Sequence, residues 1–297
     1  MNAIHYAVRH ETLYRYQRDV AHAHQQLRLT PRDHEQQHSL LHHLQIDPQP
    51  AVMSEYLDAF GNTVTRVELD RPHQRLLVVA DMQVQVDEPR AVELAAGDSW
   101  EQVRDQLAYV ARTRDAVWLE ALRYRSESPY VRIKRLFGEY AADCLTPGAS
   151  VASVSAALMA KIRREFTYAP GSTDIGTPLL EVLSRRTGVC QDFAHLMIAC
   201  LRSVGLSARY ISGYLHTQAA DEHRGSDASH AWVGVFAPPF GWIGFDPTNN
   251  LYAQQQHIAL AWGRDFGDVS PLRGVILGGG THRLSVQVSV RQIDAAH

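Results

Sequence analysis

The spacing of apolar residues changes twice along this chain, and these changes limit the folds that it can adopt. In residues 1–87, apolar and polar positions alternate over short segments, most regularly at 83–87. Alternation of this kind is typical of antiparallel strands with one solvated face. We therefore predict a small N-terminal β domain, a β-sandwich, over residues 1–87.

Residues 88–150 have helical spacing instead. Ser99 followed by Gln102 fits a capping box, and Ser128 followed by Pro129 is typical of a helix N-terminus. The apolar positions of these segments fall on one helix face, which indicates packing against a core rather than cofactor binding. We interpret this region as a helical connector.

From residue 151 to residue 297, helix and strand signals are mixed. An apolar helix is predicted from Cys190 to Val204, with Gly205 as its C-terminal stop. Strand patterns follow at 208–214, 231–236, 242–246 and 284–290. A helix packed on an antiparallel sheet is expected, so we predict an α+β core over 151–297.

Charge and cysteine content argue against several functional classes. The 297 residues include 29 Lys and Arg against 32 Asp and Glu, a net charge of −3 that gives no reason to expect nucleic acid or an anionic membrane as partner. No apolar run approaches the ~20 residues of a membrane span, and no secretion signal is recognised. Three cysteines without a C-x-x-C pair fit a reducing compartment, so we expect a cytoplasmic protein.

Cys190 is the strongest candidate for a reactive group. At a helix N-terminus, unpaired N–H groups and the positive end of the helix dipole favour a thiolate and can stabilise an oxyanion. The alternative is a buried structural cysteine, which is common. His195 is the nearest base in sequence, but five residues rotate it by about 140° away from Cys190. Cys200 lies in the middle of an apolar helical run, which indicates packing, and Cys144 lies in a loop with no candidate base near it in sequence.

His230 and Asp246 lie in two strand-like segments separated by Pro238 and Pro239. Each residue alone is explained by structure, as a packed histidine or as an aspartate in a turn. A hairpin loop centred on Pro238 would place His230 directly opposite Asp246, with Cβ atoms about 4.5–5.5 Å apart. The carboxylate could then orient the imidazole, provided that the register is not shifted by one residue.

Other candidate sites are weaker. His22 and His24 share one strand face, and two acidic residues and a histidine lie at 221–223, but neither set has the spacing of a structural zinc site. The glycines at 278–280 precede a strand rather than a helix, so they indicate a flexible or tightly turning connection rather than a phosphate-binding loop. We predict no metal and no cofactor.

Four segments together resemble the bacterial transglutaminase-like family. They are GVCQDFA at 188–194, ARYISGY at 208–214, SHAW at 229–232 and GWIGFDPT at 241–248. The strand-rich N-terminal region is similar to the β domain that accompanies this core in bacteria. The resemblance implies a papain-like α+β core with Cys190 as nucleophile, His230 as acid and base, and Asp246 as the residue that orients the imidazole.

The resemblance also suggests secondary contacts. In animal transglutaminases a tryptophan ahead of the cysteine helps to bind the oxyanion, and Tyr168 is the candidate for that role here. Gln191 and Trp232 are further candidates for oxyanion or substrate binding. The sequence has no calcium-loop pattern, so we do not expect the calcium dependence of the animal enzymes here.

These residues predict a cysteine peptidase or amidase that acts on a protein or peptide substrate through a thioester. Transfer of the acyl group to an amine is the first alternative, because water exclusion and not the triad decides the acceptor. A catalytically inactive binding module and a metal-dependent hydrolase are the other two. The sequence gives no prediction of oligomeric state.

Overall fold

The computed structural model describes residues 3–89, 91–108, 115–217 and 229–294, so the candidate metal ligands at 221–223 lie outside the described residues. The helices are α1 Trp100–Ala108, α2 Ala116–Leu122, α3 Arg135–Ala141, α4 Val151–Glu165, α5 Leu179–Arg185, α6 Cys190–Ser203 and α7 Phe266–Val269. The strands are β1 Ile4–Leu27, β2 Gln37–Asp47, β3 Val52–Leu57, β4 Thr63–Leu69, β5 His73–Val86, β6 Thr167–Tyr168, β7 Thr187–Gly188, β8 Ala208–Leu215, β9 Ser229–Phe236, β10 Trp242–Asp246, β11 Leu251–Tyr252, β12 His257–Gly263, β13 Leu272–Gly278 and β14 His282–Ile293.

Strand β1 organises the N-terminal sheet because it takes part in two groups of strands. Its first half pairs with β5 and β14, and its second half pairs with β4 and β13, always antiparallel. A register shift between Arg15 and Val20 marks the change from one group to the other. The pairing makes one seven-stranded sheet, and the buried side chains of both groups share one apolar core.

The last two strands complete this N-terminal sheet. β13 and β14 follow β1 over most of its length, and the glycines at 278–280 connect them opposite residues 17–19 of β1. All three glycines have positive φ, and the N–H of Gly279 donates to the carbonyl of Asp19 at 2.9 Å. The expected tight connection is therefore present. β13 and β14, which fall within the predicted core segment 151–297, are thus paired with β1 in the N-terminal sheet.

The α+β fold class is confirmed in the second sheet, which has five antiparallel strands in the order β11-β10-β9-β8-β12. Helix α6 packs against one face of this sheet through almost entirely buried side chains. The Trp232 side chain of β9 packs in a separate small cluster with Ile211 and Ala259. Since α6 begins at Cys190, the thiol lies at one end of the sheet. None of the described helices combines the length and apolar character needed to cross a membrane.

Strand β12 joins the two sheets. Tyr214 on β8 and Ile258 on β12 belong to the apolar core of the N-terminal sheet. The Gln37 side chain binds the main chain of Ala259 through both of its polar atoms, donating at 2.8 Å and accepting at 2.7 Å. Asn62 binds the main chain of Trp262 in the same way, at 2.9 and 3.0 Å. The N-terminal sheet thereby fixes the position of β12.

We expect Gly278→Ala to destabilise the protein more than the matched change Gly148→Ala. Both glycines have positive φ, 98° and 74°, so each alanine suffers backbone strain of about 1–2 kcal/mol. A Cβ on Gly278 would also lie 2.5 Å from the carbonyl oxygen of Asp19, whereas nothing lies within 4 Å of one on Gly148. Urea denaturation should show an additional loss of about 1–3 kcal/mol in the free energy of unfolding. Equal losses would contradict this account of the β13–β14 connection.

Candidate active site

Cys190 is the first residue of α6 and is partly buried. The helix start is held by Asp192, whose side chain accepts from the N–H of Val189 at 2.8 Å. Thr173 donates its hydroxyl to the same carboxylate oxygen of Asp192 at 2.6 Å. The N–H groups of a first helical turn have no partner within the helix, so they are available beside the Cys190 sulfur.

The residues before Cys190 bring Tyr168 beside it in the fold. β6 and β7 pair in parallel, with Tyr168 opposite Gly188. A Cβ on Gly188 would lie 2.8 Å from the Asp192 carboxylate, so glycine is required where the helix cap closes. Tyr168 is 43% exposed, so its side chain is accessible from solvent.

The His230 imidazole contacts the Asp246 carboxylate directly. Nε2 of His230 donates to Oδ2 of Asp246 at 2.8 Å. His230 lies on β9 and Asp246 ends β10, the neighbouring strand. The His230 side chain is 9% exposed and that of Asp246 is fully buried, so the hydrogen bond is shielded from water.

The predicted hairpin register is wrong by two residues. Phe236 lies opposite Trp242 and not Phe240, and Gly234 lies opposite Gly244. The difference comes from the loop. The N–H of Ala237 donates to the carbonyl of Gly241 at 2.8 Å, so the loop is centred on Pro239 rather than on Pro238.

The contact between His230 and Asp246 survives this error because the side-chain period of a strand is two. A shift of two residues leaves both side chains on the same face of the sheet. They meet diagonally instead of directly opposite each other, at a distance that a histidine and an aspartate can span.

Asp246 has hydrogen-bond donors on both carboxylate oxygens. Oδ1 accepts from the N–H groups of Thr248 and Asn249 at 2.9 and 3.2 Å, and Oδ2 accepts from the Asn249 side chain at 2.8 Å. Burial alone would raise the pKa of Asp246, but the charge and hydrogen bond of His230, with a smaller contribution from His257, hold it well below its usual range. The carboxylate is ionised at neutral pH.

The imidazole of His230 is held in its charged form. Burial alone would lower the pKa of His230, but the Asp246 charge and interactions with Cys190 outweigh it and raise the pKa to about 10. A hydrogen bond with the Cys190 side chain is among those interactions. Because Nε2 faces Asp246, Nδ1 is the ring nitrogen left for the sulfur. The structure thus brings all three residues together.

Trp232 and Gln191, two of the candidates for oxyanion or substrate binding, both lie beside catalytic residues. Trp232 is only 3% exposed, and its ring packs against His230 with centroids 6.1 Å apart. The indole supports the imidazole, and the role of Trp232 in oxyanion or substrate binding stays a prediction. Gln191, the second residue of α6, is partly buried beside Cys190, and its role in oxyanion binding stays a prediction.

The competing bases and thiols are structural. His195 is buried, and its Nε2 accepts from the N–H of Phe266 at 3.1 Å. Burial, with a smaller contribution from Arg202, lowers the pKa of His195 to about 3. Burial also raises the pKa of the Cys144 thiol to about 11 and that of Cys200 further. These groups are poorly suited to thiolate chemistry.

Sequence reasoning missed His257, a buried residue at the start of β12. Its Nε2 donates to Oδ2 of Asp246 at 3.3 Å. With His230 and Asp246 it forms the one group of three metal-binding residue types found within the described ranges, with ligand atoms all within 4.8 Å of one another. The two imidazoles each form a hydrogen bond to the same oxygen, Oδ2 of Asp246, so the three residues form one hydrogen-bonded group. Among the described residues, no third potential metal ligand lies close to both His22 and His24.

We expect the His230 imidazole to remain protonated from pH 7 to 8.5 and to lose this proton in Asp246→Asn. The variant removes the Asp246 charge, the largest effect that raises the pKa, while burial continues to lower it, so the pKa should fall strongly from about 10. NMR of protein labelled with ¹³C-histidine would measure both values, with His230→Gln assigning the signal. A His230 signal that titrates alike in both proteins would contradict the assignment.

Two family models match the chain. The bacterial transglutaminase-like N-terminal region matches residues 6–85, and the transglutaminase-like superfamily matches residues 139–247. An uncharacterized protein of Mycobacterium tuberculosis is 37% identical over 98% of this chain and 95% of its own length. A second one, from Mycobacterium leprae, is 33% identical over 96% of this chain and 97% of its own length.

Two further relatives carry functional names. A protein-glutamine gamma-glutamyltransferase of Pseudomonas aeruginosa is 27% identical over 46% of this chain and 23% of its own length. The crystal structure of a candidate cysteine protease from Cytophaga hutchinsonii shares the fold, with a TM-score of 0.76 and 21% identity over 100% of this chain and 93% of the other. The family models and the nearly full-length relatives confirm the resemblance noted in the sequence: this chain belongs to the bacterial transglutaminase-like family.

Proposed function

We propose that this protein is a cysteine hydrolase that cleaves a peptide or carboxamide bond through a thioester on Cys190. The observation that carries the proposal is the His230 imidazole, which is bonded to the buried Asp246 carboxylate at 2.8 Å and interacts with Cys190. A nucleophile, a base and a third group that orients the base are the three parts that activated thiols require.

The first half of the reaction forms the thioester. The Cys190 sulfur, as thiolate, attacks the carbonyl carbon, and the N–H groups at the start of α6 stabilise the oxyanion. The tetrahedral intermediate collapses with cleavage of the C–N bond. The departing nitrogen takes the proton from Nδ1 of His230, and an amine or ammonia leaves.

The second half releases the acyl group. His230, now neutral, accepts a proton from water as the water oxygen attacks the thioester carbonyl. Collapse of this intermediate breaks the C–S bond, which gives a carboxylic acid and the Cys190 thiolate, while the imidazole keeps the proton that it took from water. Asp246 stays ionised throughout and stabilises the imidazolium, as its depressed pKa allows.

The choice of water as acceptor rests on access to the thiol. Cys190 is only partly buried, and Tyr168 beside it is 43% exposed. Water therefore has a route to the thioester, and water wins unless it is excluded. Transfer to an amine is the second candidate function, favoured by the relative that is named a protein-glutamine gamma-glutamyltransferase. A binding module without activity remains the third.

We expect hydrolysis products to dominate when the protein is incubated with glutamine-containing peptides and a labelled primary amine. Mass spectrometry would separate free acids and peptide fragments from amine adducts, because the acceptor alone differs. A dominant adduct would replace hydrolysis by amine transfer. Cys190→Ala is the control and should reduce turnover by about 10³-fold or more with the melting temperature unchanged. A fully active Cys190→Ala protein would exclude the thioester in both cases.

Chelators should leave turnover unchanged. The His230, Asp246 and His257 set offers the residue types of a divalent metal site, which is the specific observation in favour of a metal-dependent hydrolase. Activity measured after 1,10-phenanthroline treatment, with metal analysis of the purified protein, distinguishes the two mechanisms. Loss of activity that returns with added Zn²⁺ would favour the metal mechanism.

The cytoplasm is the compartment that we propose for this activity. All three cysteines are free thiols. Free thiols are typical of proteins in a reducing compartment, where disulfides are rare. A protein or peptide is the proposed substrate.

A further inference from the structure

His257 lies beyond residues 139–247, the segment that matches the superfamily model, yet it shares the carboxylate of Asp246 with His230. We propose that His257 is a positioning residue that holds Asp246 in its working orientation by donating a hydrogen bond from Nε2. This inference rests on the proposed function of Cys190, His230 and Asp246.

The hydrogen bonds of His257 select one tautomer. The N–H of Gln254 donates to Nδ1 of His257 at 3.3 Å, so Nδ1 carries no proton. The ring proton is then on Nε2, which lies 3.3 Å from Oδ2 of Asp246. Because a main-chain N–H can only donate, the main chain itself sets the direction of the hydrogen bond to the carboxylate.

His257 contributes this hydrogen bond without contributing charge. Burial is the largest effect and lowers the pKa of His257, the nearby charge of His230 lowers it further, and contacts with Asp246 only partly offset them. The charged groups that act on His257 are thus Asp246 and His230. With His257 neutral, the Asp246 charge is balanced by His230 alone, which keeps the catalytic imidazole protonated.

Trp232 keeps the two imidazoles apart. Its ring meets His257 edge-on with centroids 5.2 Å apart and 70° between the planes, and it stacks on His230 at 6.1 Å. The two histidine rings are 6.2 Å apart, too far for a direct hydrogen bond. Each ring therefore reaches the Asp246 oxygen from its own side, and the carboxylate cannot rotate without losing one of them.

The test compares His257→Phe, which removes the donor, with His257→Gln, whose amide nitrogen can donate from nearly the same place. The readout is the rate of Cys190 alkylation by iodoacetamide between pH 5 and 9, measured by mass spectrometry. We expect His257→Phe to slow alkylation at pH 7 by about 10–100-fold, the scale found when hydrogen-bond partners that orient metal-binding side chains are removed. His257→Gln should recover to within about threefold of the unsubstituted protein.

His10→Phe is the matched control. His10 is also a buried histidine with both ring nitrogens bonded, to Thr12 and to Tyr214, but it lies on β1, away from the thiol. Its substitution should lower the melting temperature and leave the alkylation rate unchanged. Equal slowing by His10→Phe and His257→Phe would reduce the role of His257 to general packing and overturn the inference.

Two further outcomes separate this inference from the proposed function. If Cys190 reacts no faster than glutathione at pH 7 and Asp246→Asn changes nothing, the proposed function fails. If Asp246→Asn slows alkylation but His257→Phe does not, only the positioning role fails. Long-range ¹⁵N NMR of the unsubstituted protein needs no variant to fold: the Nε2–H tautomer of His257 supports the proposal, and the Nδ1–H tautomer overturns it.

Discussion

The Asp246 carboxylate is a full negative charge with no exposure to water, and the arrangement of the site follows from that burial. Removing an ionised carboxylate from water costs several kcal/mol unless charge and hydrogen bonds replace the solvent. His230 supplies the opposite charge, and Thr248, Asn249 and His257 supply donors. The protonation of the imidazole, and so the reactivity proposed for the thiol, depends on this one buried pair.

The N-terminal sheet contributes to the site indirectly, by holding β12. Gln37 and Asn62 bind the main chain of β12, and Ile258 of β12 packs in the apolar core of the N-terminal sheet. His257 begins this strand, so its distance from Asp246 depends on the contacts that hold β12 to the N-terminal sheet.

The second sheet has no room for a side chain next to the rings of His230, Trp232 and His257. Gly213 lies opposite His230 on β8, and a Cβ there would come within 2.0 Å of the Ile258 carbonyl and 2.7 Å of the Trp232 ring. A glycine is therefore needed for close approach rather than for an unusual φ. The space that it leaves is filled by the indole that supports both histidines.

The sequence by itself determined the parts that depend on local chemistry. A glycine and an apolar helix mark the position of Cys190, and strand alternation places His230 and Asp246 on one face, even with the hairpin register wrong by two residues. Only the tertiary structure decided the rest. β13 and β14 return to β1 across the whole chain, and His257 reaches Asp246 from a strand whose position is set by another domain. Periodicity reports which face a residue occupies within its own element, whereas contacts between distant elements depend on how whole sheets pack, and no local pattern encodes that.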